Sequence, residues 1–200
     1  MIVFIVVPNN KSLVNYRDTA LSYFGNLPKG VIVESRGEDI PFIVEELSKN
    51  GKIALGLTGS DLLKEYQLSK YNTKLYVIKT ISWKDEKAKF GKPTLCLLGS
   101  KETKLEQLPK NLRVCINSKY KNIAKRYLNI LEGRRFKFVK MYLSGSTEAA
   151  YCKGLSDLLI DIVYTGNSIK EANLEVYDKI FESDFVIIDA KKAIQGDKND

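Results

Sequence analysis

The sequence predicts an α/β fold built in two lobes, and three observations carry that prediction. Apolar runs bounded by turn residues alternate with longer stretches of 3.6-residue periodicity, the pattern of strands alternating with helices. The charged, weakly periodic stretch Ser82 to Pro93 closes on Gly91 and Pro93 and interrupts this pattern, which restarts at Thr94. At 200 residues, 44% hydrophobic and 28% charged, the chain is long enough for one domain or two small ones with real cores.

The opening MIVFIVVPNN has a short apolar run, no basic flank and no small-residue cleavage site, so it reads as a first strand over residues 2–7 rather than a leader. A helix fits 12–24 and a strand 30–33. The helix over 40–49 has Asp39 to cap it, Pro41 in its first turn, and one apolar stripe of Ile40, Ile43, Val44 and Leu47. A strand over 52–56, a helix over 60–66 and a strand over 74–80 complete this half. After the boundary come strands over 94–98 and 112–116, a helix over 119–130, a strand over 136–142, a helix over 147–152, a strand over 158–163, a helix over 168–172, and strands over 174–180 and 185–189. The strands after Asn173 are short enough to return to the first lobe. The expected lobes are therefore 1–83 plus 174–200, and 84–173. No internal repeat is visible, the polar tail QGDKND is expected to fray, and no stretch reaches the roughly 18 apolar residues of a membrane span.

Charge is unevenly distributed. Net charge is +8 overall, but +2 over residues 1–83, +11 over 84–140 and −5 over 141–200. Histidine is absent, which excludes Ser-His-Asp and Cys-His nucleophiles and zinc sites built on imidazole. Cys96, Cys115 and Cys152 lie far apart without CxxC spacing, and this fits reduced thiols in a cytoplasmic protein.

Two strand-to-helix turns can carry chemistry. Leu158 to Val163 is an apolar run carrying Asp161, an ionisable group that is costly to bury without a partner. Thr165-Gly166-Asn167-Ser168 follows and opens the helical IKEAN, a turn whose N–H groups and hydroxyls can cradle a phosphate at a helix start. Gly166 would let the backbone approach a ligand without a Cβ in the way. Lys52 to Asp61, KIALGLTGSD, repeats this logic. Each turn also reads as an ordinary capped connection, and neither matches the P-loop or the GxGxxG fingerprint. In open α/β sheets ligands bind outside the carboxyl ends of the strands, where both turns fall.

The string LSGSTEAAYCKGLSDLLIDIVYTGNSIKEANL resembles, almost position by position, the signature region of the ATP phosphoribosyltransferases, S-G-S-V-E-x-A-P-x-x-G-L-A-D-x-I-x-D-x-V-x-T-G-x-T-L-x-x-N-x-L. Asp39-Ile40-Pro41 through Glu45, then Ala54 to Asp61, are similar to the family's D-I-P-x-Y-V-E and D-L-G-I-T-G-x-D. Lys119 to Ala124 resembles its K-Y-P-N-L-A. Among the departures, Tyr151 stands for the family's Pro, Ser156 for an Ala and Ser168 for the second Thr of T-G-x-T. The family's L-P-K-G-R-L after the first strand becomes Pro8-Asn9-Asn10-Lys11-Ser12-Leu13, leaving Lys11 as a displaced cation.

The resemblance implies two α/β lobes like those of type II periplasmic binding proteins, with an active-site cleft between them. It implies a pentosyltransferase that joins the purine N1 of ATP to C1 of 5-phosphoribosyl-1-pyrophosphate (PRPP) with Mg²⁺ assisting, the first step of histidine biosynthesis. Carried over residue by residue, PRPP binding falls on Asp161, Val163, Thr165, Gly166, Asn167, Ser168 and Glu148. ATP binding falls on Lys11, Arg36, Gly56, Thr58 and Gly59. No direct protein ligand of the metal is assigned. The length resembles the short form of the family, which lacks the regulatory domain. The implied partners are ATP and PRPP, a second copy of the chain, and a histidyl-tRNA-synthetase-like regulatory subunit.

The sequence alone leaves two other classes open. The same fold serves non-catalytic small-molecule binding proteins. The +11 stretch, with Lys119, Lys121, Lys125, Arg126, Arg134, Arg135, Lys137 and Lys140, allows nucleic-acid binding, but no nucleic-acid motif accompanies it, and a solvated face is the simpler reading.

Overall fold

The computed structural model describes residues 2–10, 18, 22 and 30–190. The chain forms two compact units, 1–82 with 184–200, and 83–183. Most of the expected 12–24 helix lies outside the described residues, and so does the polar tail.

In the first unit, strands β1 (Val3–Pro8), β2 (Gly30–Ser35), β3 (Ile53–Gly59) and β4 (Tyr76–Ile81) are joined by β10 (Phe185–Asp189) in the order β2-β1-β3-β10-β4. β1 runs parallel to β2 and β3, and β10 is antiparallel to both neighbours. Helix α1 (Ile40–Lys49) packs its predicted stripe on this sheet: Ile40 and Val44 are buried with Val6, Ala54 and Ile188, and Ile43 and Leu47 flank them. Asp39 occupies the N-cap position, but its side chain makes no capping hydrogen bond. Helix α2 (Ser60–Ser69) follows β3 directly.

Glu45, buried on α1, ties this unit together. Its carboxylate accepts from Tyr66 Oη (2.8 Å) and Lys70 Nζ at the end of α2, and from Thr73 Oγ1 (2.8 Å) and Lys74 N (3.3 Å) ahead of β4. Burial alone raises the Glu45 carboxyl, but these donors outweigh it and lower the pKa to about 2.

In the second unit, β5 (Thr94–Ser100), β6 (Asn111–Asn117), β7 (Lys137–Leu143), β8 (Leu158–Val163) and β9 (Leu174–Glu182) take the order β7-β6-β8-β5-β9. β6 is parallel to β7 and β8, while β5 is antiparallel to β8 and β9. Helices α3 (Lys121–Arg134), α4 (Thr147–Cys152) and α5 (Asn167–Glu171) complete it. Cys96, Leu98, Cys115, Leu159, Val163 and Ile169 form one buried cluster. Cys96 and Cys115 are buried free thiols, Cys152 is exposed, and burial pushes the Cys96 thiol up to about 12.

The two sheets share one topology: three parallel strands, an antiparallel fourth supplied from elsewhere in the chain, and an edge strand. No sequence repeat announces this likeness. β9 corrects the expected return to the first lobe after Asn173. It pairs with β5 from Ser100↔Leu174 to Thr94↔Glu182, so the chain goes back only after Ser183. The apolar residues of β9 and β10 look alike in sequence, and only the pairing separates them.

The basic middle of the chain is partly structural. One guanidinium nitrogen of Arg135 donates to the carbonyls of Leu105, Glu106 and Leu108, Lys140 pairs with Glu132 at 2.9 Å, and Arg113 forms a forked pair with Asp157. Among the described residues no helix is long and apolar enough to cross a membrane.

Candidate active site

In the second unit the end of β8 gathers most of the residues assigned to PRPP. Asp161 projects from β8 and both its oxygens are taken. Oδ1 accepts from Asn117 Nδ2 at 2.9 Å and from Ile162 N at 2.7 Å, and Oδ2 accepts from Thr147 Oγ1 at 2.7 Å. The costly charge foreseen in the apolar run therefore has three donors, from the end of β6, the start of α4 and its own strand. Burial still holds its carboxyl above the usual carboxylate range, although these donors oppose the shift. Glu148 follows the buried Thr147 in the first turn of α4, accepts from Ser146 Oγ at 3.3 Å, and pushes the Asp161 carboxyl upward through its charge.

Val163 is buried, and the turn Thr165-Gly166-Asn167-Ser168 leads from it into α5. Thr165, Asn167 and Ser168 are exposed. Thr165 Oγ1 accepts from Asn167 N at 3.4 Å. The helix bonds begin with Lys170 N to Gly166 O, so the amides of Ser168 and Ile169 stand at the helix start, the kind of donor an anion takes. With only five residues, α5 has a weak macrodipole, and attraction for a phosphate rests on these amides and hydroxyls.

Gly166 has φ +82°, the left-handed region that favours glycine. Its Cβ side is not open to a ligand: a Cβ would lie 3.0 Å from Lys89 Cδ. The expected reason for this glycine, close approach of a ligand, is thus replaced by conformation.

In the first unit, Thr58 Oγ1 donates to Gly37 O at 2.9 Å, fastening the end of β3 to the turn that carries the exposed Arg36. Gly59 caps α2 in extended conformation, where Ser60 N donates to Asp184 O at 2.7 Å. Gly56 has a packing reason: a Cβ there would lie 2.7 Å from Val44 Cγ2 and 2.8 Å from Ile40 Cγ2. Its lack of a side chain lets α1 sit on the sheet. Lys11 lies outside the described residues.

Sequence reasoning missed Asn117 and Thr147, the two side chains that hold Asp161. A polar residue ending a strand beside a buried carboxylate is the available signal, but only the β6–β8 pairing makes it legible. It also missed Lys89, hidden in a segment read as a boundary.

A family model described as HisG: ATP phosphoribosyltransferase matches residues 36–200. The ATP phosphoribosyltransferase of Caldicellulosiruptor bescii is 35% identical over 142 residues, which is 71% of this chain and 61% of that protein; the chain thus spans about three fifths of this curated relative. The ATP phosphoribosyl transferase (HisG:HisZ) complex from Thermotoga maritima superposes with a TM-score of 0.70 at 25% identity, covering 94% of this chain and 87% of that one. The periplasmic aliphatic sulphonate binding protein from Escherichia coli matches with a TM-score of 0.59 at 16% identity over 94% of this chain and 65% of its own, a likeness of fold alone.

Proposed function

The chain belongs to the ATP phosphoribosyltransferase family, and from that premise we propose that it joins the purine N1 of ATP to C1 of PRPP, releasing pyrophosphate, in the first step of histidine biosynthesis. The observation that carries this reading is the polar turn after β8, where three exposed side chains and two helix-start amides surround the left-handed Gly166 inside the matched region.

This chemistry needs positioning and charge neutralisation more than a covalent nucleophile, so a histidine-free chain can perform it. The turn from Thr165 to Ser168 holds the 5-phosphate of PRPP through its hydroxyls, the Asn167 amide group and backbone N–H donors. Asp161, saturated by Thr147, Asn117 and Ile162, fixes the strand end rather than touching the phosphate. Glu148 stands beside it, accepts from Ser146 Oγ and is the carboxylate available to the ribose hydroxyls. On the first unit, Arg36 and the end of β3 at Thr58 and Gly59 take the triphosphate, with Lys11 contributing a further charge.

Among the described residues no group of three or more acidic or cysteine side chains converges on one point. Glu148 would be the carboxylate of this unit to meet Mg²⁺ brought in with the substrate pyrophosphate. Bound there, Mg²⁺ supplies neutralisation of the departing pyrophosphate. The complex named for Thermotoga maritima, HisG with HisZ, supports an assembly of this chain with a second kind of subunit, to which we assign the regulatory role; a second copy of the chain is part of the same proposal. A supply of ATP and PRPP fits a cytoplasmic setting.

The test is turnover. Purified chain with ATP, PRPP and Mg²⁺, alone and with a synthetase-like partner, is expected to release pyrophosphate and form phosphoribosyl-ATP. PRPP binding without turnover in either condition would replace the enzyme with a non-catalytic binding protein of the same fold.

A further inference from the structure

The segment Trp83 to Gly91, within the Ser82–Pro93 stretch that reads in sequence as a boundary, is fastened to the loop after β8 at four points. Lys89 N donates to Tyr164 O at 2.7 Å, and the Tyr164 hydroxyl donates to the Asp85 carboxylate. The Trp83 ring stands edge-on to that of Tyr164, with centroids 6.3 Å apart. The Lys89 stem covers Gly166, its Cδ 3.0 Å from where a Cβ would lie. The segment also closes on itself: Asp85 N donates to Gly91 O (2.9 Å), Ala88 N to Asp85 O (3.0 Å) and Gly91 N to Ala88 O (2.9 Å), while Asp85 Oδ1 accepts from Lys87 N (2.9 Å). Ala88, at its centre, is buried.

Resting on the functional reading above, we propose that this closed segment is a bracket that holds the Tyr164–Ser168 loop in the shape PRPP requires, with Asp85, Lys89 and Tyr164 as positioning residues. Tyr164 lies between the buried Val163 and the exposed Thr165, so fixing its ring and its carbonyl fixes the direction in which the loop leaves the sheet. A loop held in one shape binds its ligand without the entropy loss of ordering. Lys89 acts here through its stem. Its ammonium lies 5.8 Å from the centroid of the Phe90 ring, whereas the methylenes meet Gly166. An Asp carboxyl is ionised at neutral pH in any case, and the Tyr164 hydroxyl together with Lys87 N holds that of Asp85 below its usual range, so Tyr164 hydrogen-bonds a carboxylate.

The experiment is PRPP and ATP binding by calorimetry on the full chain, with melting temperature as a control, for wild type, Tyr164→Phe, Asp85→Asn, Lys89→Ala and Lys89→Met. Losing one charge-assisted hydrogen bond, Tyr164→Phe is expected to weaken PRPP binding about tenfold with ATP binding unchanged. Asp85→Asn moves the same way by less. Lys89→Ala weakens PRPP binding, and Lys89→Met, which keeps the stem and drops the charge, restores it. Unchanged PRPP affinity in both Tyr164→Phe and Asp85→Asn, or equal weakening of ATP binding, overturns the bracket. A Lys89→Met chain as weak as Lys89→Ala overturns the positioning role and makes Lys89 a direct phosphate contact. Wild-type protein that binds no PRPP overturns the functional reading itself, and this inference with it.

Discussion

Thr147 Oγ1 donates to Asp161 Oδ2 at 2.7 Å, so the residue just before Glu148 is fastened to the strand that ends in the proposed PRPP loop. Thr147 is fully buried, and the hydroxyl faces a carboxylate whose burial opposes ionisation. Two parts of the signature segment that are distant in sequence are thereby set in one frame.

Thr147→Val keeps the shape and deletes the donor, and its cost should depend on pH. Asp161 has a folded pKa above its ordinary 3.8, so its protonated form is favoured in the native state; that stabilisation is complete below 3.8 and lost as pH rises through the folded value. Removing a donor to the ionised form raises the folded pKa further. The variant is expected to lose about 1–3 kcal/mol at pH 7 and less at pH 3. Urea unfolding at both pH values checks it, and equal losses would show that the hydroxyl does not act through the carboxylate.

Gly56→Ala separates packing from nucleotide binding. The added methyl would lie 2.7 Å from Val44 Cγ2 and 2.8 Å from Ile40 Cγ2, atoms of buried side chains that must shift to admit it. Overpacking of this kind costs about 1–3 kcal/mol. A lowered melting temperature is expected, with ATP affinity of the protein that remains folded close to wild type. Wild-type stability with lost ATP binding would place Gly56 at the nucleotide site.

Glu45 predicts an acid limb. Its pKa of about 2, against an ordinary 4.5, means that its stabilisation is fully present above 4.5 and is lost as pH falls through about 2. With the carboxylate buried among Tyr66, Lys70 and Thr73, Glu45→Gln should cost of the order of 2 to 3 kcal/mol at pH 7. Thermal unfolding followed by circular dichroism should show the gap between the two proteins closing as pH is lowered toward 2. A gap independent of pH would mean that Glu45 contributes shape rather than charge.

The two-lobed class, the strands and the polar turn after β8 are legible in sequence because apolar periodicity and turn residues are local signals. Pairing is not local, so the sequence shows neither that β9 joins β5 instead of returning to the first lobe nor that Asn117 meets Asp161. Residue type does not reveal a glycine's neighbours: Gly56 answers to Ile40 and Val44, and Gly166 to its own φ and the Lys89 stem. The bracket is invisible in sequence for the same reason, since a charged stretch closed by glycine and proline looks like a boundary until Tyr164 is seen against it.

The loop itself supplies the last prediction. Thr165 is exposed, with its hydroxyl accepting only a long 3.4 Å bond from Asn167 N, so Thr165→Val should leave stability nearly unchanged and remove one phosphate contact. Gly166→Ala differs, because an alanine at φ +82° costs about 1–2 kcal/mol and its methyl must push the flexible Lys89 stem aside. The loop would then leave its shape rather than lose a contact. The two single variants should each weaken PRPP binding, the double variant more than either, and ATP affinity should change far less in all three. Equilibrium binding of each substrate distinguishes the cases. Unchanged PRPP affinity in the double variant would move the phosphate site away from this turn, whereas parallel loss of both substrates would show that the loop supports the unit as a whole and has no selective hold on PRPP.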